Sequence, residues 1–385
     1  MAVLKKKLVD EDVLTLARRR IARLFDEFDL VAVSFSGGKD STVALNLTVE
    51  EAERRGRLPL DVVFWDEEAL PPETIEYCER VSRDPRLRFR WYCLPVQHRN
   101  ACSRTSPYWH PWAPESQSLW CRDLPQHALT VLNGFNRQPL PLCNGLIFPD
   151  RSRRVAVVMG IRADESLRRY RSVAHRTEDN WFSTDPEAPH VTLAKPIYDW
   201  RTDDVWTAPL QLGWDYNRTY DVLSRLGIPK HSQRVCPPYG EEPLRGLWMY
   251  AQGWPGLWEK MTRRVPGART AARYSRSPLY AFGDEAAAKP DGVTWQEAIT
   301  KALDMWEPET RAKVAHRLRL EIERHFLKNP GLEIPESDAG AAVGGLTWEF
   351  LYMLAQRGDL KKRRDSSSKE TQARQRVKGG DVGDA

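Results

Sequence analysis

The stretch SFSGGKDS, residues 34–41, combines glycines, hydroxyls and charges in a pattern that could bind phosphate. Glycines lack a Cβ, so a polyanion can come close to their backbone. The stretch joins an apolar run to a segment of helical spacing, and a helix N-terminus favours negative charge. An ordinary strand-to-helix turn is the alternative, but Ser-Gly-Gly followed by Asp and Ser better fits a pyrophosphate cradle. The predicted nucleotide-binding residues here are Ser34, Ser36, Gly37, Gly38, Lys39, Asp40 and Ser41.

A second polar block, GIRADES at residues 160–166, follows the apolar run VAVVM. A guanidinium at a strand end suits bidentate contact with phosphate or sulfate oxygens, which favours Arg162. Glu165 could hold one of the arginines that follow it, although a charged helix with internal ion pairs would also explain those arginines. We predict that Gly160, Arg162, Glu165 and Arg169 belong to the same site.

Two further stretches carry residues that could do chemistry. Asp66 opens an acidic run after the apolar segment LDVVFW, where a carboxylate could meet a ribose, a magnesium ion or a base edge; solvated loop acids would look the same. Cys236 could be a nucleophile, with a pKa lowered by Arg234 if the two lie close together. Lone cysteines are more often small buried hydrophobes.

Cysteines and histidines between residues 93 and 143 raise the question of a metal centre. Their spacing lacks any CxxC pair, which structural zinc and iron–sulfur sites usually have, so we predict no metal or iron–sulfur site. The residues concerned are Cys93, His98, Cys102, His110, Cys121 and Cys143.

These blocks need a scaffold, and the apolar patterning predicts an α/β fold. Strands alternating with helices favour an open, doubly wound parallel sheet, in which ligands bind beyond the carboxyl ends of strands where the strand order reverses. An alternation of apolar residues with arginines at 87–91 predicts an edge strand with one wet face. About five strands are predicted, at 30–33, 60–65, 87–91, 155–161 and 191–197. Helices are predicted at 11–28, 41–55 and 72–81, after a cap at Thr202, along an amphipathic run at 295–327, and at 347–357.

Length and composition suit a globular protein of 385 residues, 41% hydrophobic and 29% charged. The net charge of +5 is compatible with a nucleotide or nucleic acid. No stretch approaches the roughly 20 apolar residues of a membrane span. A charged N-terminus and six scattered cysteines predict a cytoplasmic protein with reduced thiols.

The blocks together resemble a known family. SFSGGKDS resembles the PP-loop of the adenine nucleotide alpha-hydrolase superfamily. FWDEEALPPETIEY, GIRADESLRR and KPIYDWRTDDVW are similar, in order, to blocks of its phosphoadenosine phosphosulfate reductase-like branch, over roughly residues 30–240. The resemblance implies that the loop cradles the phosphates of ATP or phosphoadenylyl sulfate, that Arg162 and Arg169 reach the anionic end, and that magnesium accompanies ATP. The catalytic candidates are Asp40, Arg162 and Cys236.

The resemblance leaves three functions open. The first is an enzyme that cleaves the nucleotide at the α-phosphate, to adenylate an acceptor or to transfer sulfur. The second is a thiol-dependent phosphoadenylyl-sulfate reductase with Cys236 attacking sulfur, although the Glu-Cys-Gly-(Ile/Leu)-His tail of the reductases is missing. The third is a nucleotide-sensing regulator of prophage or DNA functions, which the Trp-rich insertion and the basic tail suggest. The insertion and RVCPPYGEEP resemble a subgroup in which some members are prophage co-activators that occur with a ParB-like partner.

The predicted domain organisation follows from these blocks. A PP-loop nucleotide-binding α/β domain covers residues 1–235, with a Trp-, Pro- and Cys-rich insertion at about 95–154. A helical C-terminal region covers 236–360. The polar, basic stretch 361–385 is predicted to be disordered.

Overall fold

The computed structural model divides the chain into two compact units: Met1–Asn100 with Tyr108–Arg269, and Ala101–Pro107 with Thr270–Ala385. The domain boundaries predicted from the sequence stay predictions. The predicted tail, residues 361–385, lies outside the described residues. The structure describes residues 9–103, 105–165, 169–170, 173, 181–240, 246–274, 289–336 and 346–358.

The first unit contains a six-stranded, mostly parallel sheet of order β3-β2-β1-β6-β8-β7, which confirms the predicted α/β class. Only β7 runs antiparallel, against β8. This three-residue strand is the one the patterning did not predict, because so short a segment has no readable period. Residues of the insertion form a separate antiparallel pair, β4 and β5. The strands are β1 Leu30–Phe35, β2 Leu60–Trp65, β3 Leu87–Tyr92, β4 His98–Arg99, β5 Tyr108–Trp109, β6 Val155–Met159, β7 Phe182–Thr184 and β8 Val191–Ala194.

The central strands are apolar along their length because both faces of the sheet are covered. In β1, Val31, Val33 and Phe35 pack into one core cluster, while Ala32 packs with Val157 on the opposite face. The first face is covered by α1 (Val13–Glu27), α2 (Lys39–Arg54) and α3 (Pro72–Ser82), among other elements. The insertion supplies residues to the second face, including α4 (Asn144–Ile147).

Strand β3 lies at the sheet edge, as the alternating pattern predicts. Leu87 and Phe89 pack against the first core cluster, and Arg88 and Arg90 point the other way. There both guanidinium groups approach the carboxylate of Asp61 on the neighbouring strand.

The helix after β8 begins at the predicted place but is not capped by Thr202, so that prediction is wrong. The N-cap of α5 (Thr202–Leu212) is Arg201, whose backbone N–H donates to the Asp204 carboxylate at 2.7 Å. The acidic residue of the first turn therefore does the capping. The helices that follow in this part of the chain are α6 Thr219–Arg225, α7 Leu247–Gly253, α8 Pro255–Arg264 and α9 Ala268–Tyr274.

In the second unit, the amphipathic run predicted at 295–327 is two helices, α10 (Trp295–Asp304) and α11 (Pro308–Lys328). Proline at the first position of α11 starts a new helix, because its ring cannot continue the preceding one. The predicted last helix is confirmed as α12 (Trp348–Arg357). Trp306, between α10 and α11, donates from its indole to the Ala355 carbonyl at 2.8 Å. Within the described parts of the chain, no helix has the length and apolar character that crossing a membrane requires.

Candidate functional site

The two main polar blocks meet at the point where the strand order reverses. From β1 the chain moves through β2 to β3 on one side, while β6 pairs with β1 on the other side. The segment 36–41 leaves the carboxyl end of β1, and the segment 160–165 leaves the carboxyl end of the adjacent β6. This is the place where open parallel sheets bind ligands.

The loop after β1 is a tight turn that opens α2. Gly37 has a φ of +69°, which side-chain-bearing residues rarely adopt, and Gly38 is the N-cap of α2 with a φ of −83°. The two serines brace the turn, because their hydroxyls lie 3.0 Å apart and the Ser41 hydroxyl donates to the Gly38 carbonyl at 3.0 Å. The first-turn N–H groups of α2 have no acceptor within the helix and face the turn.

Gly160 allows β6 to end directly against this turn. A Cβ on Gly160 would lie 2.6 Å from the Asp40 carbonyl oxygen, a distance that side chains do not tolerate. The sequence predicted Gly160 as a site residue, and the structure places its backbone against the start of α2. Any larger residue would push the two polar blocks apart.

A buried cluster of charge stands beside the turn. Arg162 is 2% exposed and donates from Nε to the Asp40 carboxylate. The Lys39 Nζ lies 3.1 Å from the other oxygen of Asp40. Burial lowers the pKa of Lys39, and the nearby Asp40 carboxylate partly offsets this. Arg162 also approaches the exposed Asp164 carboxylate at 3.8 Å. While Lys39 is protonated, the two buried cations therefore face one buried carboxylate and one that solvent screens, so the cluster favours a bound anion.

Glu165 joins the second block to a later part of the chain. Its side chain is 7% exposed and forms ion pairs with Arg169 and with Arg234, whose Nη1 lies 3.3 Å away. Glu165 and Arg169 thus lie together, four residues apart, as both a shared site and an internal ion pair of a charged helix predict, and their role in the site stays a prediction. Ser34 lies one residue before the end of β1, in register with Val63 and Met159.

Three residues missed by the sequence reasoning form the wall of the turn. Asn217 donates to the Gly37 carbonyl at 2.8 Å, and the Gln233 carbonyl lies 3.4 Å from the Lys39 Nζ. The Tyr220 hydroxyl accepts the Lys39 backbone N–H at 2.8 Å. The Asn217 side chain accepts the backbone N–H of Thr219 in the turn before α6, which is a readable local signal, but nothing in the sequence links Asn217 to a turn 180 residues away.

With this geometry established, the chain can be compared with known proteins. A family model described as the phosphoadenosine phosphosulfate reductase domain matches residues 30–227, just over half of the chain. The chain belongs to the phosphoadenosine phosphosulfate reductase domain family. A second model, a domain of unknown function (DUF3440), matches residues 227–339.

Individual relatives extend this result. The chain is 32% identical over 348 residues to the uncharacterized protein YbdN of Escherichia coli (strain K12), covering 86% of this chain and 83% of that protein. Among solved structures, it is similar to the phosphoadenylyl-sulfate reductase of Candida auris, at 12% identity over 56% of this chain and 93% of that chain, with a TM-score of 0.30. It is also similar to the FMN adenylyltransferase of Candida glabrata, at 15% identity over 56% of this chain and 64% of that chain, with a TM-score of 0.34. The kinship with prophage co-activators stays a prediction, and these matches support neither a ParB-like partner nor nucleic acid.

Cys236, the candidate nucleophile of this reductase-domain chain, is exposed, whereas the other five free cysteines are buried. Desolvation by the surrounding protein, followed by the Glu67 carboxylate, raises the pKa of the Cys236 thiol to about 11. Arg234 lowers it, as expected, but by less than these two effects raise it. The thiol is therefore protonated near neutral pH, which is the weakly nucleophilic form.

In this reductase domain the acidic run after β2 holds the insertion. Asp66 is 2% exposed and accepts hydrogen bonds from the Trp91 indole at 2.7 Å, from the Glu68 backbone N–H at 2.9 Å and from Arg122. Glu68 is fully buried and accepts from the backbone of Trp112 at 2.8 Å. These bonds engage both acids with β3 and the insertion, and a nucleotide contact by Asp66 stays a prediction.

The donor set does not fit a magnesium ion. Asp40 is held by Arg162 and Lys39, and Asp66 by Trp91 and Arg122. Within the described ranges, His, Cys, Asp and Glu side chains form no group of three that could hold a metal ion. The proposed function below therefore assigns no role to magnesium.

Proposed function

We propose that this chain binds ATP or a related adenylyl nucleotide at the turn of residues 36–41 and cleaves it at the α-phosphate, to adenylate an acceptor or to pass on sulfur. The supporting observation is the meeting of the two blocks: a glycine turn at the N-terminus of α2, closed by the Gly160 backbone and flanked by the buried Arg162–Asp40–Lys39 cluster. Membership of the phosphoadenosine phosphosulfate reductase domain family agrees with this.

The turn supplies donors of fixed position for the phosphates. Phosphate oxygens accept the first-turn N–H groups of α2 that follow Lys39, whose own N–H donates to Tyr220, and the helix dipole adds to the attraction. Because Asp40 is engaged by Arg162, its carboxylate orients the guanidinium instead of repelling the nucleotide. Arg162 and Lys39 then present the excess positive charge to the phosphates.

The same groups favour cleavage. The acceptor forms a bond to the α-phosphorus while the bond from that phosphorus to the bridging oxygen breaks, and pyrophosphate leaves with that electron pair. Negative charge therefore grows on the leaving group, next to preorganised N–H groups and buried cations, where stabilisation has its greatest effect on rate.

A reductase function centred on Cys236 is less well supported. That reaction needs a thiolate to attack sulfur, and the pKa of Cys236, about 11, leaves little thiolate at neutral pH. The adenylyl chemistry needs no such group, so we retain it as the proposed function.

The test replaces Gly38 with valine. A Cβ there would lie 3.3 Å from the Ser36 Oγ, 3.4 Å from the Tyr220 Oη and 3.5 Å from the Val235 side chain, so valine would crowd the limited space around the turn. Since the φ of Gly38 is negative, the effect acts through that space and not through backbone strain. Loss of several charge-assisted bonds, each worth roughly 1.5–3 kcal/mol, should weaken ATP affinity by at least a hundredfold.

The measurement is calorimetric titration with ATP and with pyrophosphate, alongside thermal melts. Gly256→Ala is the control, because a Cβ on Gly256 meets no atom within 4 Å. It should bind like the parent. If the parent binds neither ligand, or if Gly38→Val binds both unchanged, the proposed function is wrong.

A further inference from the structure

A cavity of about 560 Å³ lies at the end of the sheet opposite the nucleotide turn. It is formed around the first residues of β1, β2 and β6, including Leu30, Leu60 and Val155. Since these strands are parallel, the length of β1 separates the cavity from the turn, about 20 Å for its six residues. A ligand in this cavity would therefore not touch the site proposed above. The volume is in the range of sites for small organic molecules.

Four arginines line this cavity, Arg57, Arg88, Arg90 and Arg153. Arg90 donates to the Ile147 carbonyl at 3.3 Å, and Arg57 and Arg153 both donate to the Asp29 carbonyl, at 2.7 Å and 3.2 Å. A carbonyl oxygen satisfies an N–H group but carries no net charge. The positive charge of Arg57 and Arg153 therefore remains available to a ligand.

The other two arginines share one carboxylate. Asp61 is 7% exposed, and its oxygens lie 3.3 Å from the Arg88 Nη1 and 3.5 Å from the Arg90 Nη2. The Arg90 Nε is buried and has no hydrogen-bond partner in the described part of the chain. This N–H can pair with a ligand that supplies an acceptor.

The remaining acids of the lining, Asp29 and Asp150, compensate these charges only in part, because with Asp61 three carboxylates stand against four arginines. Asp29 and Asp150 are exposed, and their carboxylates accept backbone N–H groups, from Arg154 at 2.7 Å and from Ser152 at 3.0 Å. The arginines thus form the cationic side of the cavity. The apolar lining includes two aromatic rings, and the Arg57 and Arg90 guanidinium groups lie 5.2 Å over the Phe25 ring and 5.1 Å over the Phe148 ring.

We propose that this cavity binds a small organic oxyanion, a phosphate or carboxylate carried on an apolar body. Guanidinium groups recognise such planar or tetrahedral oxyanions through paired N–H donors. The apolar wall, which includes Phe25, Leu58 and Phe148, accommodates the rest of the molecule. Because the arginines line a concave and partly apolar space, a small molecule fits better than the extended backbone of a nucleic acid.

The experiment is calorimetric titration of the full chain with phenyl phosphate and with benzoate, which separate the two oxyanion types. The double variant Arg88→Ala/Arg153→Ala removes two exposed arginines and should keep the fold. We expect it to weaken binding of the preferred probe at least tenfold. Arg83→Ala, which removes an exposed arginine outside the lining, should leave binding unchanged.

Binding of the same probe to Gly38→Val separates the two sites, because that variant alters only the nucleotide turn. Unchanged affinity in Gly38→Val supports the second site, whether or not ATP binds the parent. The proposal is overturned if neither probe binds, if binding is lost in Gly38→Val and kept in the double arginine variant, or if a single-stranded oligonucleotide binds these arginines while the probes do not.

Discussion

At the residue scale, the Tyr220 hydroxyl is an important group of the nucleotide turn that the sequence did not predict. It accepts the Lys39 N–H at 2.8 Å, and its own proton has no acceptor among the residues that the structure describes. Burial raises the pKa of Tyr220, so the hydroxyl stays protonated. A hydroxyl both accepts and donates, and an anion in the turn would supply the acceptor that this proton lacks.

We therefore expect Tyr220→Phe to weaken ATP affinity about 10- to 100-fold, the value of one hydrogen bond to a charged group. Tyr77→Phe is the matched control, because the Tyr77 hydroxyl bonds Thr42 within the core at 3.0 Å. It should change affinity less than threefold. Calorimetric titration measures both variants. Tighter binding by Tyr220→Phe would mean that the hydroxyl competes with phosphate for the Lys39 N–H.

The raised pKa of Cys236 predicts a slow and pH-dependent alkylation. The other five cysteines are buried, so iodoacetamide should label Cys236 first in the native protein. The thiolate is the reactive form, and with a pKa of about 11 its fraction rises about tenfold per unit between pH 7 and 10. At pH 8 the rate should be tens of times below that of a free thiol. Mass spectrometry over this pH range gives the rates, and fast labelling at pH 7 would restore the reductase hypothesis.

At the element scale, the end of β6 and the start of α2 are in contact only because residue 160 is glycine. Gly160→Ala should lower the free energy of unfolding by about 1–3 kcal/mol, since the added Cβ meets backbone atoms that cannot move aside. Gly256→Ala, inside α8, should instead raise it by about 0.5–1 kcal/mol. Urea titration measures both changes. If both variants change the free energy of unfolding equally, the end of β6 and the start of α2 are not in close contact in solution.

The buried carboxylate of Glu68, in the segment after β2, accepts hydrogen bonds from both the insertion and α8. Glu68 accepts from the Arg264 Nε at 2.9 Å, and both side chains are nearly or fully buried. Glu68→Gln keeps an acceptor but removes the charge, so the buried guanidinium loses its counterion. The expected cost is about 3–5 kcal/mol of unfolding free energy.

The neighbouring pair provides the control for this change. Arg263 pairs with Glu259 at the protein surface, where both side chains are more than 60% exposed. Glu259→Gln should therefore cost less than about 1 kcal/mol. Chemical denaturation of both variants under the same conditions gives the comparison. A similar small loss in both would mean that the Glu68–Arg264 pair contributes no more than a surface pair.

At the scale of the whole molecule, the sequence predicts what depends on local pattern. Apolar runs located the parallel strands, and SFSGGKDS located the turn, because burial on both faces and close approach to backbone restrict local residue types. Contacts between distant segments leave no such signal. Tyr220 touches Lys39 across 181 residues, and the pattern around Glu68 does not reveal that Arg264 neutralises it across 196 residues. Nor does the sequence show which of two adjacent glycines takes the positive φ.

The hydrogen bonds of Asp66 and Glu68 to the insertion have a consequence for how such chains can be shortened or recombined. Deleting residues 95–154 would remove Arg122 from Asp66 and the backbone N–H groups of Trp112 and Cys121 from Glu68. Asp66 would keep the Trp91 indole and Glu68 would keep Arg264, but the carboxylate oxygens that the insertion now satisfies would each lose a donor, which is unfavourable for a buried acceptor. A minimal version of this protein must therefore change both acids when the insertion is cut out, and grafting the insertion onto a relative must bring both acids with it.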